Sequence, residues 1–214
     1  MEVFRQKRDY ADFVSLLAAA NERLRMRLVG YCVMPNHFHV VLWPREDGDL
    51  GRWMQWLLTS QVRWYHRRHQ GSGHLWQGRF RAFPIQRDEH LLTVLRYVEQ
   101  NPLRAGLVER AQDWPWSSLL WRSSADTARV GANMDNQPEV SAAQLLAQGP
   151  VELPDDWGRQ VNRRQRPAQV ESVRHSVIRG APLGAAAWCK RIAERLGLQS
   201  SLRPRGRPRK DRRK

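Results

Sequence analysis

Met34-Pro35-Asn36-His37-Phe38-His39-Val40-Val41-Leu42-Trp43 is the stretch on which the reading of this chain turns. Arg27 to Val33 is an apolar, β-prone run, Met34-Pro35-Asn36 breaks it, and His37 to Trp43 is a second run stopped by Pro44. The pair predicts an antiparallel hairpin or a sharply bent strand. Side chains alternate along a strand, so His37 and His39 share one face, about 7 Å apart, while Phe38, Val40 and Leu42 turn toward a core. Two neutral imidazoles on a rigid strand can bind a divalent metal when a third ligand arrives from elsewhere. Spacing alone fits two solvent-facing histidines equally well.

Working outward, Asp9 reads as an N-cap, and Phe13, Leu16, Leu17, Ala20 and Leu24 recur at helical spacing, predicting a helix over 10–25. Gly48-Asp49 opens a second helix to about His69, with Leu50, Trp53, Leu57, Gln61 and Trp64 on one side. The turn Gly71-Ser72-Gly73 leads to a predicted strand over 79–86. Asp88 caps a third helix from Glu89 to about Gln100, and Pro102 forbids its continuation beyond Asn101. The order helix, strand, strand, helix, strand, helix predicts an α+β fold with helices on an antiparallel sheet. There are no internal repeats.

The third helix carries a polar stripe of His90, Thr93, Tyr97 and Asn101 opposite an apolar side of Leu91, Leu95 and Val98. Beside a His-x-His strand, Tyr97 offers a phenol nucleophile and Asn101 an amide oxygen ligand. Taken by itself, Tyr97 fits a core-edge tyrosine with its hydroxyl in water.

Together these elements resemble the HUH motif (His, bulky hydrophobic, His) of single-tyrosine transposases, and among them the REP-associated tyrosine transposases. The matching stretches are Tyr31 to His39 (YCVMPNHFH), Leu75 to Phe80 (LWQGRF), Tyr97 to Val108 (YVEQNPLRAGLV) and Trp114 to Ser118 (WPWSS). The resemblance covers about residues 3 to 121. It implies a ferredoxin-like antiparallel sheet with helices on one face, acting on single-stranded DNA, with Tyr97 as nucleophile and His37, His39 and Asn101 as ligands of Mg²⁺ or Mn²⁺. Attack by the phenolate would give a 5′-phosphotyrosine and a free 3′-hydroxyl able to reverse the reaction on another end. A free phenol has a pKa near 10, so Tyr97 needs the metal or a neighbouring cation; His90 is a weak candidate base. Family members usually begin with a strand and a basic segment, whereas this chain enters its first helix almost at once, so the sheet is expected to lack that first strand.

Charge divides the chain. Of its 36 Lys and Arg, 17 lie in residues 159–214, with only 3 of the 21 acidic residues, so that region carries +14 of the net +15. This predicts a catalytic domain over 1–121, a variable linker over 122–158, and a basic DNA-binding region over 159–214, part helical (184–198) and part disordered. The core Arg205-Gly206-Arg207-Pro208 resembles an AT-hook, an Arg-rich segment of narrow minor grooves. The expected DNA contacts are Arg104, Ser117 and Ser118 in the domain, then Arg203, Arg205, Arg207, Arg209 and Lys210 in the tail. A solubility tail, a capping role for Ser117-Ser118 and a plain surface site for Arg104 are the bland alternatives.

With 41% hydrophobic residues the chain is too apolar for wholesale disorder, and it has no apolar run of membrane-spanning length. Cys32 and Cys189 are too few and too distant for a disulfide framework, which predicts a reducing cytoplasm and association with the nucleoid. Zinc at His66, His69, His74 and His90 lacks the usual ligand spacing. Trp53, Trp56 and Trp64 suit packing better than base stacking. The leading expectation is a metal-dependent transposase acting on hairpins or palindromic repeats as a monomer or homodimer. The alternatives are a catalytically decayed hairpin-binding protein and, more remotely, an RNA-binding protein.

Overall fold

The computed structural model describes residues 2–124 and 145–203. Its first helix, α1 (Lys7–Leu24), starts from a capping box in which Gln6 is the N-cap and Asp9 stands three residues inside. Asp9 Oδ2 accepts from the backbone N–H groups of Arg5 and Gln6, both at 2.9 Å. Asp9 is therefore the reciprocal partner of the cap and not the cap itself. Its other oxygen accepts from His69 Nε2 (3.2 Å) and faces Arg68 Nε (3.6 Å), which ties the start of α1 to the end of α2 (Asp49–His69).

Between these helices, β1 (Arg27–Met34) and β2 (His37–Trp43) form the expected antiparallel hairpin, turning at Pro35-Asn36. The register sets Leu28 against Leu42, Gly30 against Val41, Tyr31 against Val40 and Cys32 against His39, leaving Val29 as a bulge. The extra residue shifts the alternation, so Leu28, Tyr31 and Val33 face one core while Val29, Cys32 and Met34 face another. The first core lies under α1 and α2, around Phe13, Leu17, Trp53 and Leu57. The second lies under α3 (Glu89–Glu99), α5 (Ser118–Ser124) and α6 (Trp157–Asn162). Between them come α4 (Asn101–Arg104) and a 3₁₀ turn at Ala111–Asp113. Helices packed on an antiparallel sheet give the α+β class that the sequence predicts. They cover both faces of it.

Two strands are found among the described residues. The outer edge of β1 is closed by the segment 114–122 in place of a further strand. Val33 N–H donates to Trp116 O (2.8 Å) and Val33 O accepts from Trp114 Nε1 (2.9 Å). Tyr31 N–H donates to Ser118 Oγ (3.0 Å), which in turn reaches Tyr31 O (3.1 Å), and Val29 O accepts from Arg122. Side chains thus satisfy an edge that would otherwise need pairing. The strand expected over 79–86 does not form. Pro84 has no N–H to give a ladder, and Ile85 makes only an isolated bridge to Leu183.

Residues assigned to the linker and tail pack on the domain. Leu145 and Trp157 are buried, and α6 and α7 (Pro167–Arg179) contribute Val161 and Val173 to the second core. The helix expected over 184–198 is α8 (Ala186–Leu196), followed by α9 (Gln199–Leu202). No helix among the described residues is long and apolar enough to cross a membrane.

Glu99, the last residue of α3, is fully buried. Its Oε1 accepts from Ser118 Oγ (2.5 Å) and Arg122 Nε (2.8 Å), and its Oε2 from Trp157 Nε1 (2.6 Å). A buried carboxylate is tolerated only when paired in this way. Glu99→Ala leaves Arg122 without its counter-charge and strands the Trp157 N–H, and is expected to lower unfolding stability by about 3–5 kcal/mol in urea titrations.

Candidate active site

On the face of the hairpin that carries His37, His39 and Val41, the β1 partners are Met34, Cys32 and Gly30, the last two small. A Cβ on Gly30 would lie 2.6 Å from Leu95 Cδ2, so the glycine is what lets α3 approach this closely. The approach brings Tyr97 to the histidines. The His37 and His39 rings meet edge-on with centroids 4.9 Å apart, and the His39 and Tyr97 rings do the same at 5.9 Å.

The step from α3 to α4 adds two more groups. Asn101 begins α4, with Pro102 in its first turn, and Arg104 ends it. Arg104 Nη2 donates to Asn101 Oδ1 (2.6 Å) and to Tyr97 O (3.1 Å), and its Cζ lies 4.1 Å from the Tyr97 ring centroid. Two donors here are buried with no hydrogen-bond partner, Asn101 Nδ2 and Arg104 Nη1. The structure therefore brings His37, His39, Tyr97, Asn101 and Arg104 together, and the cation over the phenol ring is Arg104.

Both imidazoles are pushed toward the neutral form. Burial pushes His39 down to about 3, with the charges of His37 and Arg104 adding to the effect, and desolvation lowers His37 as well. Asn36 Oδ1 is 2.6 Å from His37 Nδ1, so Nδ1 carries the proton and Nε2 keeps its lone pair. Asn101 Oδ1 keeps a second lone pair beyond its bond to Arg104. Two imidazole nitrogens and an amide oxygen are a donor set that a divalent transition metal accepts.

Other expected residues serve elsewhere. His90 bonds Asp88 Oδ1 (2.7 Å) at the start of α3 and lies about 10 Å along the helix from Tyr97, too far to act as its base. Asp88, Glu89 and His90 do form a cluster able to hold a metal ion, apart from the paired histidines. Ser117 and Ser118 have no exposed surface and bond β1 and Glu99, so their hydroxyls are committed inside the protein. His66 bonds Gly73 O and His69 bonds Asp9. Trp53 is wholly buried, and Trp56 and Trp64 pack against the first core. Arg203 is exposed after α9, its carbonyl accepting from Arg179. Arg205, Arg207, Arg209 and Lys210 lie outside the described residues.

The fold and site define a class: a hairpin presenting paired imidazoles to a tyrosine on a packed helix. The family model described as "Transposase IS200 like" matches residues 1–101, a span that contains His37, His39, Tyr97 and Asn101. Residues 1–101, just under half of the chain, are thus similar to that family. A provisionally named REP-associated tyrosine transposase of Haemophilus influenzae is 29% identical over 119 residues, covering 50% of this chain and 67% of that protein. A REP-associated tyrosine transposase of Escherichia coli K12 is 26% identical over 89 residues, covering 42% of this chain and 52% of that protein. The chain thus spans between half and two thirds of these relatives. No solved structure matches it significantly.

Because His39 is held deprotonated in the folded protein, the unfolded chain binds its proton first as pH falls. Stability is therefore expected to decline on acidification from about pH 6.5 toward pH 3. In chelator-treated protein, denaturant midpoints of His39→Gln should lose most of that decline.

Proposed function

We propose that the protein is a metal-dependent transposase that cuts and rejoins single-stranded DNA through a 5′-phosphotyrosine, with hairpins or palindromic repeats as substrates. The observation that supports this reading best is the meeting of a paired-histidine strand and a tyrosine inside the span matched by the transposase family, with the cation of Arg104 three residues beyond it. Tyr97 is the proposed nucleophile. Its Oη loses its proton and forms a bond to the scissile phosphorus, the P–O3′ bond breaks, and the departing 3′ oxygen takes up a proton from solvent, so that no net proton is consumed. Reversal by the same or another 3′-hydroxyl reseals the strand.

His37 and His39, with Asn101 Oδ1, would hold a divalent metal such as Mg²⁺ or Mn²⁺. When bound, it would polarise the phosphate and offset charge on its oxygens. Arg104 sets positive charge against the Tyr97 ring and orients Asn101 through their 2.6 Å bond. The unpartnered Nδ2 of Asn101 and Nη1 of Arg104 are donors suited to phosphate oxygens. The C-terminal basic tail would add sequence-independent affinity through phosphate neutralisation.

The test is a denaturing gel after incubation with Mn²⁺ and end-labelled single-stranded hairpins from the flanks of the gene. A DNA-linked protein band is expected, absent in Tyr97→Phe, with hairpin affinity of that variant within about 2-fold of the parent because only a hydroxyl is removed. Tight binding with no adduct under any divalent metal would instead identify a binding protein without catalysis. An adduct that survives in Tyr97→Phe would move the nucleophile elsewhere.

A further inference from the structure

Next to Arg104, α4 and the C-terminal segment from α6 to α7 line an open cavity of about 480 Å³. Its lining includes Gln100 and Arg104 on one segment and Arg164, Gln165 and Arg174 on the other. Arg164 and Arg174 are exposed and make no hydrogen bond or ion pair among the described residues, and neither does Glu171, the one acidic residue in the lining. Arg104 lines the same cavity. Three guanidinium groups and one carboxylate thus share this lining, an excess of positive charge that an anion would relieve.

A second observation narrows the ligand. Gln165 is only 3% exposed, and its amide nitrogen is spent on Thr93 O (2.9 Å), but its Oε1 has no partner. Arg104 Nη1 is likewise buried and unpartnered. The cavity therefore offers cations for an anion and one buried acceptor for an N–H or O–H group. A lone phosphate dianion answers only the first. A nucleotide answers both, through its phosphate and an amino group of its base, and the volume lies in the range that holds such a ligand.

We propose that this cavity binds one nucleotide of the DNA strand that reaches Tyr97, with Arg104, Arg164 and Arg174 on its phosphate and Gln165 Oε1 on its base. The inference rests on the DNA-cleaving reading above and extends the DNA track from the matched residues 1–101 onto α7. Arg104 lies against the Tyr97 ring and also lines this cavity, so it links the nucleotide bound here to the reacting phosphate.

The test uses the full chain and a fluorescein-labelled single-stranded hairpin oligonucleotide, followed by anisotropy over a range of KCl concentrations. Arg164→Ala/Arg174→Ala is expected to bind roughly 10-fold more weakly, with a salt slope shallower by about 0.7 for each phosphate no longer neutralised. Arg5→Ala/Arg8→Ala, an equal charge change at the start of α1 on the opposite face of the sheet, should leave the slope nearly unchanged. Both sites are exposed, and circular dichroism melts report whether either variant is unfolded. If the parent binds and the two double variants weaken it equally, the cavity is overturned while the DNA-cleaving reading stands. If the parent has no affinity for single strands, that reading falls and the cavity with it. Displacement of the hairpin by millimolar inorganic phosphate from the parent, but not from Arg164→Ala/Arg174→Ala, would overturn the nucleotide in favour of a free phosphate.

Discussion

A single buried carboxylate, that of Glu99, organises the half of the molecule in which the site lies. Taking it out of water is costly, and the structure offsets that cost with three donors from two segments: Ser118 and Arg122 of α5, and Trp157 of α6. Each donor has a second task. Ser118 also serves the edge of β1, Arg122 reaches Val29 O, and Trp157 begins α6. The end of α3 is thereby bound to the hairpin, to α5 and to the C-terminal helices at one point. Tyr97 stands two residues earlier, so whatever fixes Glu99 also fixes the phenol relative to His39.

The hairpin supplies the other half of that geometry. Its bulge at Val29 turns alternate side chains into two cores, and Gly30 removes the one Cβ that would hold α3 away. A sheet of two strands is normally a weak scaffold. Here both faces are covered by helices and one edge is satisfied by Trp114, Trp116, Ser118 and Arg122, so the histidines sit on a braced strand. The chemistry of the site follows from this packing: burial keeps His39 unprotonated, and the tight joint between α3 and α4 lays Arg104 across Tyr97.

What can be read from the sequence is local. Alternation around His37-Phe38-His39 and the three-and-four spacing of His90, Thr93, Tyr97 and Asn101 place the right residues on the right faces, because strand and helix periods are short-range properties. The cap of α1 lies three positions before Asp9, since a capping box uses a residue at each end and either can look like the cap. Ser117 and Ser118 resemble phosphate contacts because nothing in Trp-Pro-Trp-Ser-Ser says which edge it will lie against. The strand expected over 79–86 has apolar content but no partner. Glu99, Arg164 and Arg174 acquire meaning only through residues far along the chain; the sole hint of the last two is the excess of basic residues after 158. The helices from Trp157 to Arg179 escape a reading by periodicity because their few buried positions, Trp157, Val161 and Val173, are thinly spread through Arg and Gln.

Gln100, at the joint between α3 and α4, donates its amide to Val161 O and Arg163 O, both at 2.6 Å. With the bond of Trp157 to Glu99, this means that residues some sixty positions downstream finish the seat of Tyr97. A ribosome adds on the order of 5–20 residues per second, so the matched span 1–101 emerges several seconds before its supports do. During that interval Glu99 lacks Trp157 and Gln100 lacks its two carbonyls. The order of synthesis itself thus withholds the complete site from the growing polypeptide until most of the chain has been made.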